Sequence, residues 1–173
     1  MRRRTALFLA AAMTMPWPAA ADTIHPPRSA AERALDGILK HADQDPDLLD
    51  NLFAGRGQRP FRPAEDYTKV LTAPLIAAMT AKEKALVQAG CDGHYRKGEV
   101  CGMDYSPITC AQDLSDSYLY RTEASGEDQA KINYYWPGTK TSVATHRLVR
   151  QAETWKIDGI SCGAGDSFNF EKP

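Results

Sequence analysis

The sequence contains no internal repeat, no stripe of basic residues and, after residue 21, no long hydrophobic run. Its 173 residues are 25% charged and 43% hydrophobic, which is typical of one globular domain rather than a disordered, collagen-like or multidomain chain. Because no apolar run beyond residue 21 approaches the length of a membrane helix, we expect no membrane insertion. The lack of a basic stripe also argues against nucleic acid and anionic lipid as partners.

Residues 1–21 have the pattern of a secretory signal peptide. Positions 2–4 are arginines, positions 6–15 are mainly apolar, and three alanines at 19–21 form a small-residue cleavage site. We expect the mature chain to begin at Asp22, to be periplasmic or secreted, and to lack a lipid anchor, because no cysteine follows the cleavage site. General secretion and twin-arginine export both stay open. Without the three arginines the chain has 18 basic against 22 acidic residues, a net charge of −4.

All four cysteines lie after the predicted signal, and none forms a C-x-x-C motif, which argues against dithiol redox catalysis. An even number in an exported chain predicts two disulfides. Three pairings are open. We favour Cys91–Cys101, which closes a short polar loop, and Cys110–Cys162, which joins the start of the predicted β region to its end. In the chain-entropy model these bridges would stabilise the fold by roughly 3 and roughly 4 kcal/mol.

The first half of the chain is predicted to be helical. Ser29 and Glu32 have the spacing of a capping box, and the apolar residues that follow recur at helical intervals. Further helical stretches are expected near 45–53, from about 63, and from Pro74 to a stop at Gly90. We place a single domain at 29–165, after a linker over 22–28 and before a tail over 166–173.

The second half of the chain is predicted to be β. Strands are expected over 117–124, 127–136, 141–150 and 154–160, with turns at Ser125-Gly126 and Pro137-Gly138. The connections are too short for crossover helices, so the strands should form an antiparallel meander. Helices followed by strands indicate an α+β fold, with the helices packed on a curved four-stranded sheet and two disulfides.

Two motifs suggest chemistry that their context does not support. Ser161 lies in a G-x-S-x-G motif, but no histidine follows it, as a serine hydrolase of that type would require. Asp43, Asp45 and Asp47 are spaced like the start of an EF-hand loop, but the Gly and Glu expected later in that loop are missing. We interpret these motifs as a strand end and a solvated acidic turn.

A zinc site could be drawn from Cys91, His94, Cys101 and Cys110. The spacing of these residues is loose for zinc, and the site would leave Cys162 without a partner in an oxidising compartment. We therefore predict neither a metal ion nor a cofactor.

Two local motifs carry a resemblance to a known superfamily. They are Ala-Gln-Asp at 111–113 and Trp-Lys-Ile-Asp at 155–158, within the order of helices, cysteine-bearing connection and β meander. Over about residues 29–162 the chain resembles the nuclear-transport-factor-two-like (cone-fold) superfamily and, more closely, is similar to a family of small exported bacterial proteins of unknown function within it. The resemblance implies a curved sheet around helices and an apolar cavity. Some members are isomerases or dehydratases with an Asp or His in the cavity, and many only bind ligands or partners.

Our leading hypothesis is an exported, non-enzymatic domain that binds a small ligand or a periplasmic protein, for instance as an inhibitor or immunity protein. We name Tyr67, Tyr135, Arg147 and Trp155 as candidate binding residues, and expect the connection over 91–113 to be a contact surface. The superfamily often dimerises through the exposed sheet face, and Tyr135 and Arg147 are predicted to lie there.

The alternative hypothesis is a cavity enzyme, an isomerase or hydrolase. It would use Asp104, Asp113 or His146 together with Tyr134 as acid, base or hydrogen-bond donor. A buried structural imidazole is the commoner reading of His146. His25 and His41 are expected to be exposed.

Overall fold

The computed structural model describes residues 23–53, 56, 65–113, 115–163 and 170. Four helices precede four strands, which confirms the predicted α+β class. The elements are α1 (Ala30–Gln44), α2 (Leu48–Leu52), α3 (Glu65–Val70), α4 (Ala73–Cys91), β1 (Leu119–Ser125), β2 (Gln129–Tyr135), β3 (Ala144–Gln151) and β4 (Thr154–Cys162). The predicted signal peptide lies outside the described residues.

Helix α1 begins at the predicted capping box. Ser29 Oγ accepts a hydrogen bond from the Glu32 amide at 3.1 Å, and Glu32 Oε2 accepts one from the Ser29 amide at 2.9 Å. Leu35 and Leu39 then fall on one face and are fully buried. Two further contacts tie α1 to the sheet, since Thr122 donates to Glu32 at 2.7 Å and Tyr120 donates to Asp36 at 3.0 Å.

Helix α4 has Pro74 in its first turn, as predicted, but it does not end at Gly90. The helix continues to Cys91, and the next residue, Asp92, takes the left-handed conformation with φ 53°. An aspartate tolerates this conformation better than most residues do, so it replaces the expected glycine as the terminator.

The sheet is the predicted antiparallel meander in the order β1-β2-β3-β4. Each strand bound differs from the prediction by a few residues at most. The register shifts at two places in the sheet. One shift lies between Thr122 and Ala124 in β1. The other lies opposite Arg147 and Leu148 of β3, where Asp158 is the extra residue in β4. A bulge of this kind increases local twist and redirects side chains.

Both edges of the sheet are paired with other chain segments. His25 exchanges two backbone hydrogen bonds with Tyr120 on the β1 edge, at 3.0 and 2.7 Å. On the β4 edge, Thr72 donates to Ile157 at 3.0 Å and Phe170 donates to Ile160 at 2.8 Å. These contacts occupy edge groups that would otherwise be open to another chain.

The edge contacts correct the expected exposure of His25. This residue is buried, because its backbone pairs with β1 and its ring lies 3.8 Å from Glu32. Phe170, within the predicted tail, is likewise buried in the main core cluster.

One face of the sheet packs against the helices. The core combines the buried residues of α1 and α4 with the inward side chains of all four strands, and these strand residues include Tyr120, Ile132, Tyr134, His146, Leu148, Ile157 and Ile160. None of the helices in the described part of the chain has the length and hydrophobicity that crossing a bilayer requires.

Both predicted disulfides are present. Cys91 and Cys101 are joined at an S–S distance of 2.03 Å, and Cys110 and Cys162 at 1.99 Å. The first closes the loop after α4, and the second fastens the connection before β1 to the end of β4. Two disulfides fit a protein of an oxidising compartment.

Candidate functional site

His146 and Tyr134 are neighbours inside the core. Their ring centroids are 5.7 Å apart and both side chains are fully buried. His146 Nε2 lies 2.8 Å from the carbonyl oxygen of Ile108, and the Tyr134 hydroxyl donates to the carbonyl of Thr109. The two rings therefore hold the connection before β1 against the sheet, and the expected burial of His146 is confirmed.

Burial determines the protonation of His146. Desolvation lowers its pKa to about 4, against a smaller opposing effect of the hydrogen bond to Ile108. The ring is thus neutral near pH 7, with the proton on Nε2, because only that nitrogen faces a carbonyl acceptor. Nδ1 has no partner among the described residues, and the same holds for the buried Tyr118 hydroxyl and Thr109 Oγ1.

The two candidate carboxylates lie elsewhere. Asp104 and Asp113 are exposed on the connection before β1, whereas His146 and Tyr134 are fully buried. The enzyme hypothesis required these four groups to converge in one pocket. The structure brings together only the His146–Tyr134 pair, and the hydrogen bonds of that pair go to backbone carbonyls.

The four candidate binding residues also fall in different places. Tyr67 is buried in the helical layer, where it donates to Asp45 at 2.8 Å. Trp155 is half-buried at the start of β4 and lines a surface groove. Tyr135 and Arg147 lie on the sheet face away from the helices, as predicted.

The outer sheet face is a network of polar contacts. Arg147 donates to Asp158 at 3.3 Å and lies across Gly159, where an added Cβ would be 3.0 Å from the guanidinium. Tyr135 is only 1% exposed, with the Arg121 guanidinium 5.7 Å from its ring centroid. Dimerisation through this face stays a prediction.

The disulfide pocket is a cavity of about 520 Å³ beside the Cys110–Cys162 bridge. Tyr105 and Trp136 supply aromatic walls, Val143 supplies apolar surface, and the polar lining groups include Gln112, Thr139 and Thr141. None of the described lining residues carries a formal charge. This combination of aromatic walls and a few polar groups is typical of small-ligand sites.

The backbone around the bridge is closely packed. Cys110 has a left-handed conformation with φ 56°, which is uncommon outside glycine and asparagine. At the other end, Gly163 donates to the Val143 carbonyl at 2.8 Å, and an added Cβ would lie 2.5 Å from the Ser142 carbonyl oxygen. The pocket is therefore framed by covalently fastened backbone.

A second cavity, which we call the α1 groove, has about 580 Å³ between α1 and the β3–β4 hairpin. Its floor includes Ala34, Gly37 and Ile38 of α1, and Trp155 forms part of one side. Basic and acidic side chains lie around it, namely Arg33, His41, Lys69 and Glu153. The groove thus differs from the disulfide pocket in charge.

A third cavity, of about 530 Å³, is lined by several aspartates, including the three of the EF-hand-like motif. Asp45 already accepts hydrogen bonds from Tyr67 and Asn51, at 2.8 and 2.9 Å. Burial raises the pKa of Asp43, which weakens its tendency to be an anionic ligand. We interpret this cluster as part of the fold.

The other weighed motifs also have structural roles. Ser161 is an ordinary residue of β4 opposite Thr145, not the exposed tip of a strand-to-helix turn. Cys91 and Cys101 lie close to Glu99, but their sulfur atoms form a disulfide and cannot act as thiolate ligands.

Comparison of the chain with protein-family models, with curated proteins and with solved structures found no match.

Sequence reasoning missed most residues of the two pockets. Trp136 was expected in a strand but follows β2 directly, before the Pro137-Gly138 turn, where a side chain can line a surface pocket. Gln112 lies in the Ala-Gln-Asp motif, but that motif did not indicate a pocket, and Tyr105 was not named as a candidate. Of the residues that line the α1 groove, Trp155 was the one named as a candidate binding residue.

Proposed function

We propose that this chain is an exported, non-enzymatic domain that binds a small, uncharged and largely apolar ligand in the disulfide pocket. The observation that carries the proposal is the cavity of about 520 Å³ with Tyr105 and Trp136 as walls, whose described lining residues carry no formal charge. Its size lies within the range of known small-molecule sites. Polar groups such as Gln112 and Thr141 would orient the ligand by a few hydrogen bonds.

The covalent frame supports binding rather than catalysis. A pocket fastened by Cys110–Cys162 is largely preformed, so little conformational entropy is lost when a ligand enters. The histidine–tyrosine pair of the enzyme hypothesis, His146 and Tyr134, is directed to backbone carbonyls in the core. The same proposal includes membership of the cone-fold superfamily and removal of residues 1–21 on export. The element order supports the first part, and the two disulfides support export.

The test uses the fluorescence of Trp136. The sequence has three tryptophans, so a W17F/W155F chain emits from Trp136 alone. The probe is N-phenyl-1-naphthylamine, which is neutral and apolar and has one N–H donor. We expect saturable binding of the probe with energy transfer from Trp136.

A bulky substitution separates this site from others. T141F should fill the mouth of the pocket and weaken probe binding about tenfold, equivalent to about 1.4 kcal/mol. T23F is the matched control, because Thr23 is also an exposed threonine but is not among the residues that line the disulfide pocket or the α1 groove. Equal probe affinity in both variants, or probe binding without energy transfer from Trp136, would contradict the proposal.

A further inference from the structure

We infer that the α1 groove is a second binding site, specific for a small amphipathic carboxylate, which is a ligand class different from that of the disulfide pocket. The groove is wide enough for such a molecule, at about 580 Å³. Its shape, its charge and one glycine all favour such a ligand.

The shape of the groove suits an apolar tail. Ala34, Gly37 and Ile38 line the groove with short or buried side chains, and Trp155 lines it from β4. Trp155 is half-buried, so part of its ring is available to a ligand. Alkyl or aromatic groups placed there would leave water for an apolar surface.

The charge of the groove suits an anionic head. Arg33 of α1 and Lys69 of α3 are both exposed lining residues with a positive charge, and the Arg33 guanidinium also donates to the Arg28 carbonyl. The acidic lining residue, Glu153, is already ion-paired with Arg150 in the hairpin. This local excess of positive charge contrasts with the acidic balance of residues 22–173, which has 18 basic and 22 acidic side chains.

Gly37 deepens the groove but lowers the stability of helix α1. Glycine inside a helix is less stable than alanine. Nothing lies within 4 Å of the position that a Cβ would take at Gly37, so packing does not require the glycine. What its small size provides is open space on the groove floor.

The test compares decanoate, below its micelle concentration, with 1-decanol of the same chain length. A W17F/W136F chain emits from Trp155 alone. We expect a saturable change of Trp155 emission, with decanol binding about two- to fivefold more weakly, as for an exposed ion pair. Added salt should weaken decanoate binding and leave decanol binding unchanged. No change of Trp155 emission with decanoate, or equal affinities at low salt, would overturn the inference.

Substitutions locate the site. G37L should place a side chain on the floor and abolish the response, whereas G37A should fold at least as well as the parent chain. R33Q/K69Q should reduce decanoate affinity to that of decanol, while K84Q on the exposed face of α4 should have no effect. If G37L proves unfolded by thermal melting, the R33Q/K69Q comparison decides alone, because both of those side chains are exposed.

Two controls test where decanoate binds and whether a membrane competes for the groove. T141F should leave decanoate binding unchanged, and a loss of binding in that variant would place the ligand in the disulfide pocket instead. Phosphatidylglycerol vesicles should not sediment with the chain; co-sedimentation would identify a membrane surface, not a soluble carboxylate, as the occupant. Failure here leaves the Trp136 assay of the disulfide pocket unaffected.

Discussion

Acidification should destabilise this fold through His146. The ring is fully buried between Tyr134 and the Ile108 carbonyl, and its pKa falls from about 6.5 in an unfolded chain to about 4. Because the unfolded chain accepts this proton more readily, the neutral ring contributes stability that is complete above about pH 6.5 and is lost progressively toward pH 4. A shift of this size corresponds to about 3 kcal/mol.

The assay is urea unfolding between about pH 7.5 and pH 4.5 in the natural chain and in H146Q. A glutamine amide can still donate to the Ile108 carbonyl, but it does not titrate. We expect the free energy of unfolding of the natural chain to fall by about 2.5 kcal/mol more than that of H146Q across this range. The comparison removes contributions shared by both chains, such as that of Asp43, whose pKa is raised by burial.

The pH range over which stability is lost makes the result specific to His146. Burial alone would raise the pKa of Glu32, but hydrogen bonds from Ser29, Thr122 and Arg28 together outweigh it and lower the pKa. The stability that Glu32 contributes is therefore lost mainly at a lower pH than that of His146, and the loss is shared by the natural chain and H146Q. Parallel curves for H146Q and the natural chain would refute the reasoning, since they would mean that His146 does not titrate with unfolding.

Three other perturbations test the covalent and polar framework. Glu83 is buried and accepts hydrogen bonds from Arg56 at 2.6 Å, from Tyr95 at 2.9 Å and from the Met103 amide at 2.7 Å. E83A should therefore lower the free energy of unfolding in urea by about 3 kcal/mol, and a change near zero would contradict this. C110A/C162A opens a loop with a sequence separation of 52 residues and should lower the free energy of unfolding by about 4 kcal/mol. An unchanged melting temperature would contradict this. S29A removes the side-chain acceptor of the capping box and should lower the free energy of unfolding by about 1 kcal/mol. Loss of α1 helicity by circular dichroism would contradict this, because it would mean that the helix depends on the cap.

Local rules explain why the elements could be predicted. The capping box at Ser29 and Glu32 acts within one helical turn, and the Pro137-Gly138 turn acts within one hairpin. Their outcomes depend on neighbours in the sequence, which pattern reasoning can assess. Gly90 shows the limit of such reasoning, because Asp92 adopted the left-handed conformation two residues later.

Contacts between distant segments were less accessible to sequence reasoning. The pairing of His25 with Tyr120 joins residues 95 positions apart by backbone hydrogen bonds, for which His25 carries no side-chain signal. The bulge at Asp158 likewise depends on how β4 fits against β3. These contacts decide which groups are buried, and so they reversed the expected exposure of His25.

Periodicity, turn chemistry and an even number of cysteines determined the class of this protein: helices, then an antiparallel meander, with two disulfides. Only the tertiary structure decided where the functional surfaces lie. It buried His146 and Tyr134 against backbone carbonyls, exposed Asp104 and Asp113, and assembled two cavities from side chains far apart in the chain. The physical reason is that hydrogen-bonding patterns and apolar periods are encoded locally, whereas a cavity is the space left between surfaces that meet only after folding.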